Sequence, residues 1–319
     1  MTTPDLYVSA YITAPTEPAA EDQFFDAVAH LDLAGLEFAL QPEGHRTLDH
    51  AWIDAHVPAA RDLVVSLVPT MTARRAEVPA YGLASTDPEQ RARALDDVAR
   101  ARDLAHVLAD RHGVRRVSAV EVHSAPGPLL GSRDAFERSL DEILGWDLAG
   151  AELLVEHCDA LVPGQAPAKG FLGLDEEVAL VQSFGLAPDL LGMVVNWGRS
   201  AIEGRDTATP VAHTRAVADA GLLRLLVLSG ATDADTAWGA AWGDMHIPPR
   251  GDHPALVASS ASLLGPPEVA ATLAAAGDVP RIGLKWGVRP HDADVATRLA
   301  VVTATIDQVA AARTAPVAR

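Results

Sequence analysis

The chain runs to 319 residues, 49% of them hydrophobic, enough to bury the core of one large domain or two ordinary ones and too long for a small disulfide-stapled module. Its single cysteine, Cys158, excludes an internal disulfide and cysteine-pair redox chemistry, and suits a reducing compartment. With 43 acidic against 25 basic residues, the net charge of −18 creates a field that repels phosphate backbones and anionic membranes, so neither nucleic acid nor a membrane is expected as a partner.

At the N-terminus, MTTPDLYVSAYITAP carries no basic leader and only a short apolar run, which predicts neither a signal peptide nor a spanning helix and leads to an expected cytoplasmic location. From there, apolar runs alternate with helical patterns. The predicted strands are LYVSAYI (6–12), GLEFAL (35–40), LVVSLVP (63–69), RVSAVEV (116–122), ELLVEH (152–157), LGMVVNW (191–197), LLRLLVL (222–228) and RIGLKW (281–286). Most are continuous apolar stretches, the pattern of strands covered on both faces. The clearest helix precedes the fourth strand: Asp87 caps it, Pro88 opens its first turn, Leu95, Val98, Leu104 and Leu108 recur at helical spacing, and Gly113 stands just past its end. SRDAFERSLDEILGW, LDEEVALVQSFG, TPVAHTRAVADAG, PPEVAATLAAAG and DADVATRLAVVTATIDQVAAAR repeat the pattern farther along.

Eight βα units without a charged or Ser/Gly-rich linker predict an α/β chain folded as one closed (β/α)8 TIM barrel over residues 1–319, because right-handed crossovers wind such a sheet onto itself. A doubly wound open sheet is the alternative, but SAYITAPTEP lacks the glycine-rich turn that would normally follow its first strand. The long loop at 231–264, rich in Trp, Gly and Pro, is a candidate lid or a contact within a homo-oligomer.

In such a barrel chemistry sits at the strand ends and the loops after them. In strand order those ends carry Tyr11, Glu37, Thr70, Glu121 with His123, Glu156 with His157, Asn196 with Arg199, Ser229 and Lys285. Ionisable groups at successive mouths are costly to bury unpaired and mark a candidate site, although each alone also reads as a solvated terminus or an ion-pair partner. Trp197, Trp238, Trp242 and Trp286 follow the late strands. Such rings either pack over the mouth or stack on a sugar ring whose hydroxyls neighbouring polar groups bind. The segment Ser229–Thr232 reads as a small-residue loop, with phosphate binding as the alternative. No dinucleotide or P-loop fingerprint is present.

The eight-unit layout, GLEF at the second strand, LLVEH at the fifth and WGDMHIPPRGD after the seventh resemble the xylose-isomerase-like TIM barrels, a superfamily of sugar isomerases, epimerases and an endonuclease branch. The resemblance implies a divalent metal held by a fifth-strand Glu, a sixth-strand Asp, a seventh-strand His and an eighth-strand Glu. Glu156 matches the first. The sixth-strand Asp-x-x-His appears as Asn196-Trp197-Gly198-Arg199, the seventh position falls near Ser229, and the eighth falls at Lys285. A lysine ammonium has no lone pair to offer, so the expected cofactor complement is none, with a rearranged metal site on Glu156 and the His246 of Asp244-Met245-His246 as the alternative.

The expected function is therefore a metal-independent sugar isomerase or epimerase that abstracts a proton next to a carbonyl. Glu156 or Glu121 is its base, and Lys285 with Arg199 stabilises the oxyanion. Glu37, His123, His157, Asn196, Trp197, Asp244, His246 and Trp286 are the expected substrate-binding residues. Lys285 also admits a Schiff-base role or a plain ion pair with Glu156. The rival readings are glycoside cleavage by Glu121 and Glu156, and a non-catalytic sugar-binding barrel.

Overall fold

The computed structural model describes residues 5–314. Its eight strands close into a barrel in sequence order: β1 Leu6–Ser9, β2 Gly35–Ala39, β3 Asp62–Ser66, β4 Val117–Val122, β5 Glu152–His157, β6 Leu191–Asn196, β7 Leu223–Leu228 and β8 Ile282–Leu284. Along the chain come helices α1 Ala10–Thr13, α2 Pro18–Val28, α3 His50–His56, α4 Val68–Glu77, α5 Pro88–His112, α6 Arg133–Leu144, α7 Leu174–Ser183, α8 Trp197–Gly204, α9 Thr209–Asp219, α10 Pro266–Ala276 and α11 Val295–Thr314. The protein is thus the (β/α)8 barrel its alternating pattern predicts.

Two sequence-based boundaries are corrected. The first strand stops at Ser9, and Tyr11 lies in the one-turn helix α1. Thr70, expected at the end of the third strand, lies in the first turn of α4, and its hydroxyl donates to the Leu40 carbonyl. The cause is common to both: apolar residues continue past the strand end, Ala10–Ile12 after β1 and Leu67–Val68 after β3, so hydrophobicity alone does not mark the change of period. Helix α5 matches its prediction. Asp87 accepts from the amides of Glu89 and Gln90 at 2.9 and 3.3 Å, and Gly113 ends the helix in the left-handed region at φ +66°, where a side chain would be strained.

The chain divides into two compact units. In the unit Leu36–Val194, β4 pairs in parallel with β3, and β5 with β4, in the register Ala119↔Glu152 through Val122↔Val155. All six residues of β4 and all six of β5 are buried, as strands covered on both faces should be.

The other unit takes the described residues up to Gly35 and those from Val195 onward. There β8 pairs in parallel with both β1 and β7. The loop 231–264 folds back on the end of β7 through an antiparallel bridge between Gly230 and Ile247, and is pinned by Trp242 N–H to the Thr232 carbonyl (2.7 Å) and Leu263 N–H to the Ala231 carbonyl (2.8 Å). Trp238 is buried within it, its indole N–H donating to the Ala258 carbonyl at 2.7 Å. Helix α11 is the one helix among the described residues long and apolar enough to cross a membrane. Val301, Val302 and Val309 on it are buried, and Arg298 donates to the Thr13 carbonyl at 2.8 Å, as in a core-packed helix.

Candidate functional site

Strand alternation sorts LLVEH into two faces. Residues i and i+2 share a face, so Glu156 and Cys158 project to one side and His157 to the other. The β4–β5 register, continued one step beyond Val122↔Val155, sets His123 level with Glu156. The side chains meet as that register requires: His123 Nε2 lies 2.7 Å from Glu156 Oε2, with both side chains almost fully buried. Glu121 shares the face, level with Leu154 two residues earlier, and is itself fully buried. Cys158 closes the group, its sulfur and the ligating atoms of His123 and Glu156 all lying within 4.8 Å of one another. Glu37 is buried at the centre of β2 rather than at its end.

His157 serves the helix-covered side. Its Nδ1 lies 2.7 Å from Glu177 Oε2 on α7, and the Ser124 hydroxyl donates to Glu177 Oε1 at 2.5 Å while accepting from the Leu172 amide at 3.3 Å. Serine and imidazole both bond the carboxylate here, so the trio lacks the serine-to-imidazole link of a hydrolase relay. It is a buried tie between β5, the loop after β4 and α7, and it separates His157 from the face that carries Glu156.

In the other unit, Asn196 ends β6 and caps α8, its side-chain oxygen accepting from Gly198 and Arg199 amides at 3.1 and 3.4 Å. That oxygen is thus committed to the backbone. Arg199 is fully buried, and its Nε donates to Asp244 Oδ2 at 3.3 Å. His246, held at φ +50°, places Nδ1 2.8 Å from the Ser229 hydroxyl and 3.5 Å from Asp244 Oδ1. Serine and acid approach the same ring nitrogen, whereas a Ser–His–Asp relay needs them on opposite nitrogens. Backbone strain at a non-glycine residue of this kind clusters at functional loops.

Lys285 is fully buried one residue past β8, its Nζ 5.5 Å from the centre of the Tyr11 ring, a cation–π distance. Trp286 follows, its carbonyl accepting from the Thr13 hydroxyl at 2.8 Å. The indole nitrogens of Trp197 and Trp286 are both buried and have no hydrogen-bond partner among the described residues. Trp242 sits at φ +58° beneath Arg205, whose guanidinium is 5.3 Å from its ring centre.

These positions test the metal set that the family resemblance implies. The sixth-strand acid is an amide spent on a helix cap, the seventh-strand position is a hydroxyl bonded to His246, and the eighth-strand acid is a lysine. Of the four positions only Glu156 keeps a ligating carboxylate, so the set does not fit a divalent ion in that arrangement. Sequence reasoning did not assign Cys158, Ser124 or Glu177 to any cluster. Cys158 was legible from the two-residue period of the strand end, whereas Ser124 and Glu177 meet only through tertiary packing.

A family model described as "Domain of unknown function (DUF4862)" matches residues 7–301. Among curated proteins, "Uncharacterized protein STM3670" of Salmonella typhimurium (strain LT2) is 35% identical over 254 residues, covering 76% of this chain and 77% of the relative. Solved xylose-isomerase-like barrels share the fold. The IolI protein, crystallised with a zinc atom, superposes with a TM-score of 0.60 at 9% identity, covering 97% of this chain and 99% of its own. D-Psicose 3-epimerase from Clostridium cellulolyticum H10, solved with D-tagatose, gives a TM-score of 0.56 at 15% identity, covering 96% and 98%. At these identities the likeness is one of fold.

Proposed function

This chain belongs to the DUF4862 family, and from that premise and its barrel we propose that it is an enzyme acting on a sugar or sugar derivative by proton abstraction next to a carbonyl, an isomerase or epimerase. The single observation that carries the proposal is the buried His123–Glu156 pair at 2.7 Å on the ends of adjacent strands. A carboxylate sheltered from water and held by an imidazole is positioned as a general base, and the imidazole can take the proton on from the carboxyl or hand it back for delivery to the neighbouring carbon. The D-psicose 3-epimerase and IolI barrels support the substrate class by analogy of fold.

The base works here without a divalent ion, because the residues at the family's ligand positions are committed to other bonds or carry positive charge. An enediolate formed by proton loss still needs its negative charge balanced by a cation or by hydrogen-bond donors.

The test is incubation with ketoses, aldoses and sugar acids in deuterated water. Deuterium enters the carbon next to the carbonyl of at least one substrate, and Glu156→Gln abolishes the exchange while leaving the circular dichroism unchanged. No incorporation across a broad panel overturns the reading.

A further inference from the structure

We propose that His123, Glu156 and Cys158 form a binding site for a thiophilic divalent cation of the zinc class. The donors are one imidazole, one carboxylate and one thiol, all buried, with ligating atoms within 4.8 Å of one another. Glu156 lies in β5, and His123 and Cys158 stand one residue past the ends of β4 and β5, two strands paired in parallel register, so the grouping sits at the mouth of adjacent strands.

The donor set selects the ion. Thiolate and imidazole suit zinc or cobalt, whereas magnesium and calcium prefer all-oxygen shells. Zinc bonds of roughly 2.0–2.3 Å in a tetrahedron place ligand atoms about 3.3–3.8 Å apart. The His123–Glu156 contact of 2.7 Å therefore opens slightly, and the widest separation in the group, within 4.8 Å, closes by at most about 1.5 Å. Thiolate and carboxylate together balance the charge of a dication, and three protein donors leave the fourth position open, the pattern of a site that still admits water or a ligand.

Arg75 packs its guanidinium 5.0 Å from the Phe171 ring centre and interacts electrostatically with Cys158. His123, at 3% exposure, borders a small apolar cavity of about 20 Å³.

This site differs from the ligand arrangement implied by the family resemblance, sharing only Glu156 with it. The existence of the site does not rest on the proposed enzymatic reading. Its consequence does: an ion bonded to Glu156 occupies the lone pair that would accept the substrate proton, so zinc suppresses the reaction and a chelator restores it.

The experiment is titration of chelator-treated full-length protein with cobalt(II) in the absence of substrate. One equivalent binds with a thiolate-to-cobalt charge-transfer band, zinc displaces it, and magnesium does not. Binding weakens as pH falls, because protons compete for the sulfur and the imidazole. In Cys158→Ser, zinc affinity measured against a chromophoric chelator falls by more than about 100-fold, the upper end of what loss of a mere outer-shell partner costs. His123→Asn weakens it likewise, which keeps the test decisive if one variant folds poorly. Stoichiometric cobalt without a charge-transfer band, or zinc affinity unchanged in both variants, overturns the proposal. Because the spectrum is read without substrate, its failure is distinguishable from failure of the deuterium exchange.

Discussion

Glu156 and His157 are chain neighbours with opposite duties, and their separation is the test of the site at the scale of single residues. Glu156 faces His123, whereas His157 faces Glu177 under α7. Replacing Glu156 with Gln keeps the shape and removes the base, so turnover falls by about 10²–10⁴-fold with little change in stability. Replacing His157 with Ala removes the imidazole from the buried Glu177 carboxylate, which keeps the Ser124 hydroxyl, and destabilises by roughly 1–3 kcal/mol in denaturant titration. If the two variants exchange phenotypes, the assignment of faces is wrong. Lys285→Met separates charge from bulk in the same way: its expected loss is in turnover, read against an unchanged circular dichroism spectrum. The period of two already held the division between Glu156 and His157, because adjacent strand residues cannot share a face. The commitment of the Asn196 amide to the backbone was not legible, since Asn at that position reads equally as a ligand substitute and as a helix cap. Only the distances from its oxygen to the amides of Gly198 and Arg199 decide.

Elements set how those residues are held, and two junctions bear the most. At the β6–α8 junction the Asn196 cap and Gly198 cooperate: a β-carbon at Gly198 would lie 2.6 Å from the Ser229 carbonyl oxygen, too close for any side chain. Asn196→Ala is expected to cost about 0.5–2 kcal/mol through loss of the cap. Gly198→Ala costs more, because backbone rather than a flexible side chain must move. The second junction joins α4 to α5. Burial of Asp97 alone would push its carboxyl upward, but hydrogen bonds from Tyr81 (2.7 Å), Arg100 (2.8 Å) and Arg74 (3.2 Å) outweigh it and hold the group below its usual range. Tyr81 is pushed the other way, first by burial and then by its bond to Asp97. The lowered Asp97 therefore stabilises the fold above about pH 4, and that contribution is lost as pH falls through its folded value. The raised Tyr81 stabilises below about pH 10 and loses its contribution as pH climbs beyond. Asp97→Asn should flatten the acid limb of a plot of urea midpoint against pH; an unaltered limb would remove Asp97 from the account. Helices with caps, such as α5, were legible because capping chemistry is local. The one-turn α1 was not, because Ala10, Tyr11 and Ile12 continue the apolar run of β1 without a stop signal.

At the scale of the whole molecule the net charge of −18 is the dominant long-range term. Surface pairs such as Arg111–Asp54 (2.6 Å) and Arg313–Asp5 (2.5 Å) are local, and each contributes at most about 1 kcal/mol. The excess acids repel one another over distances that salt controls, since the Debye length shrinks from about 10 Å at 0.1 M to about 3 Å at 1 M. If the surplus outweighs the pairs, sodium chloride stabilises the fold at neutral pH, and the urea midpoint rises across that range. If the pairs outweigh the surplus, the midpoint falls. With 43 acids against 25 bases, 18 acids have no basic counterpart in the chain, and the first outcome is expected. The same field bears on the substrate. A neutral sugar feels no long-range repulsion, so its kcat/KM is insensitive to ionic strength, whereas a sugar acid or phosphate is held off at low salt and its kcat/KM rises as the field is screened. Measuring kcat/KM for a substrate that exchanges deuterium, at several ionic strengths and constant pH, therefore reports the substrate's charge at a distance. A neutral substrate whose kcat/KM tracked ionic strength steeply would show that the charge acts through the local site rather than through the molecule's overall field.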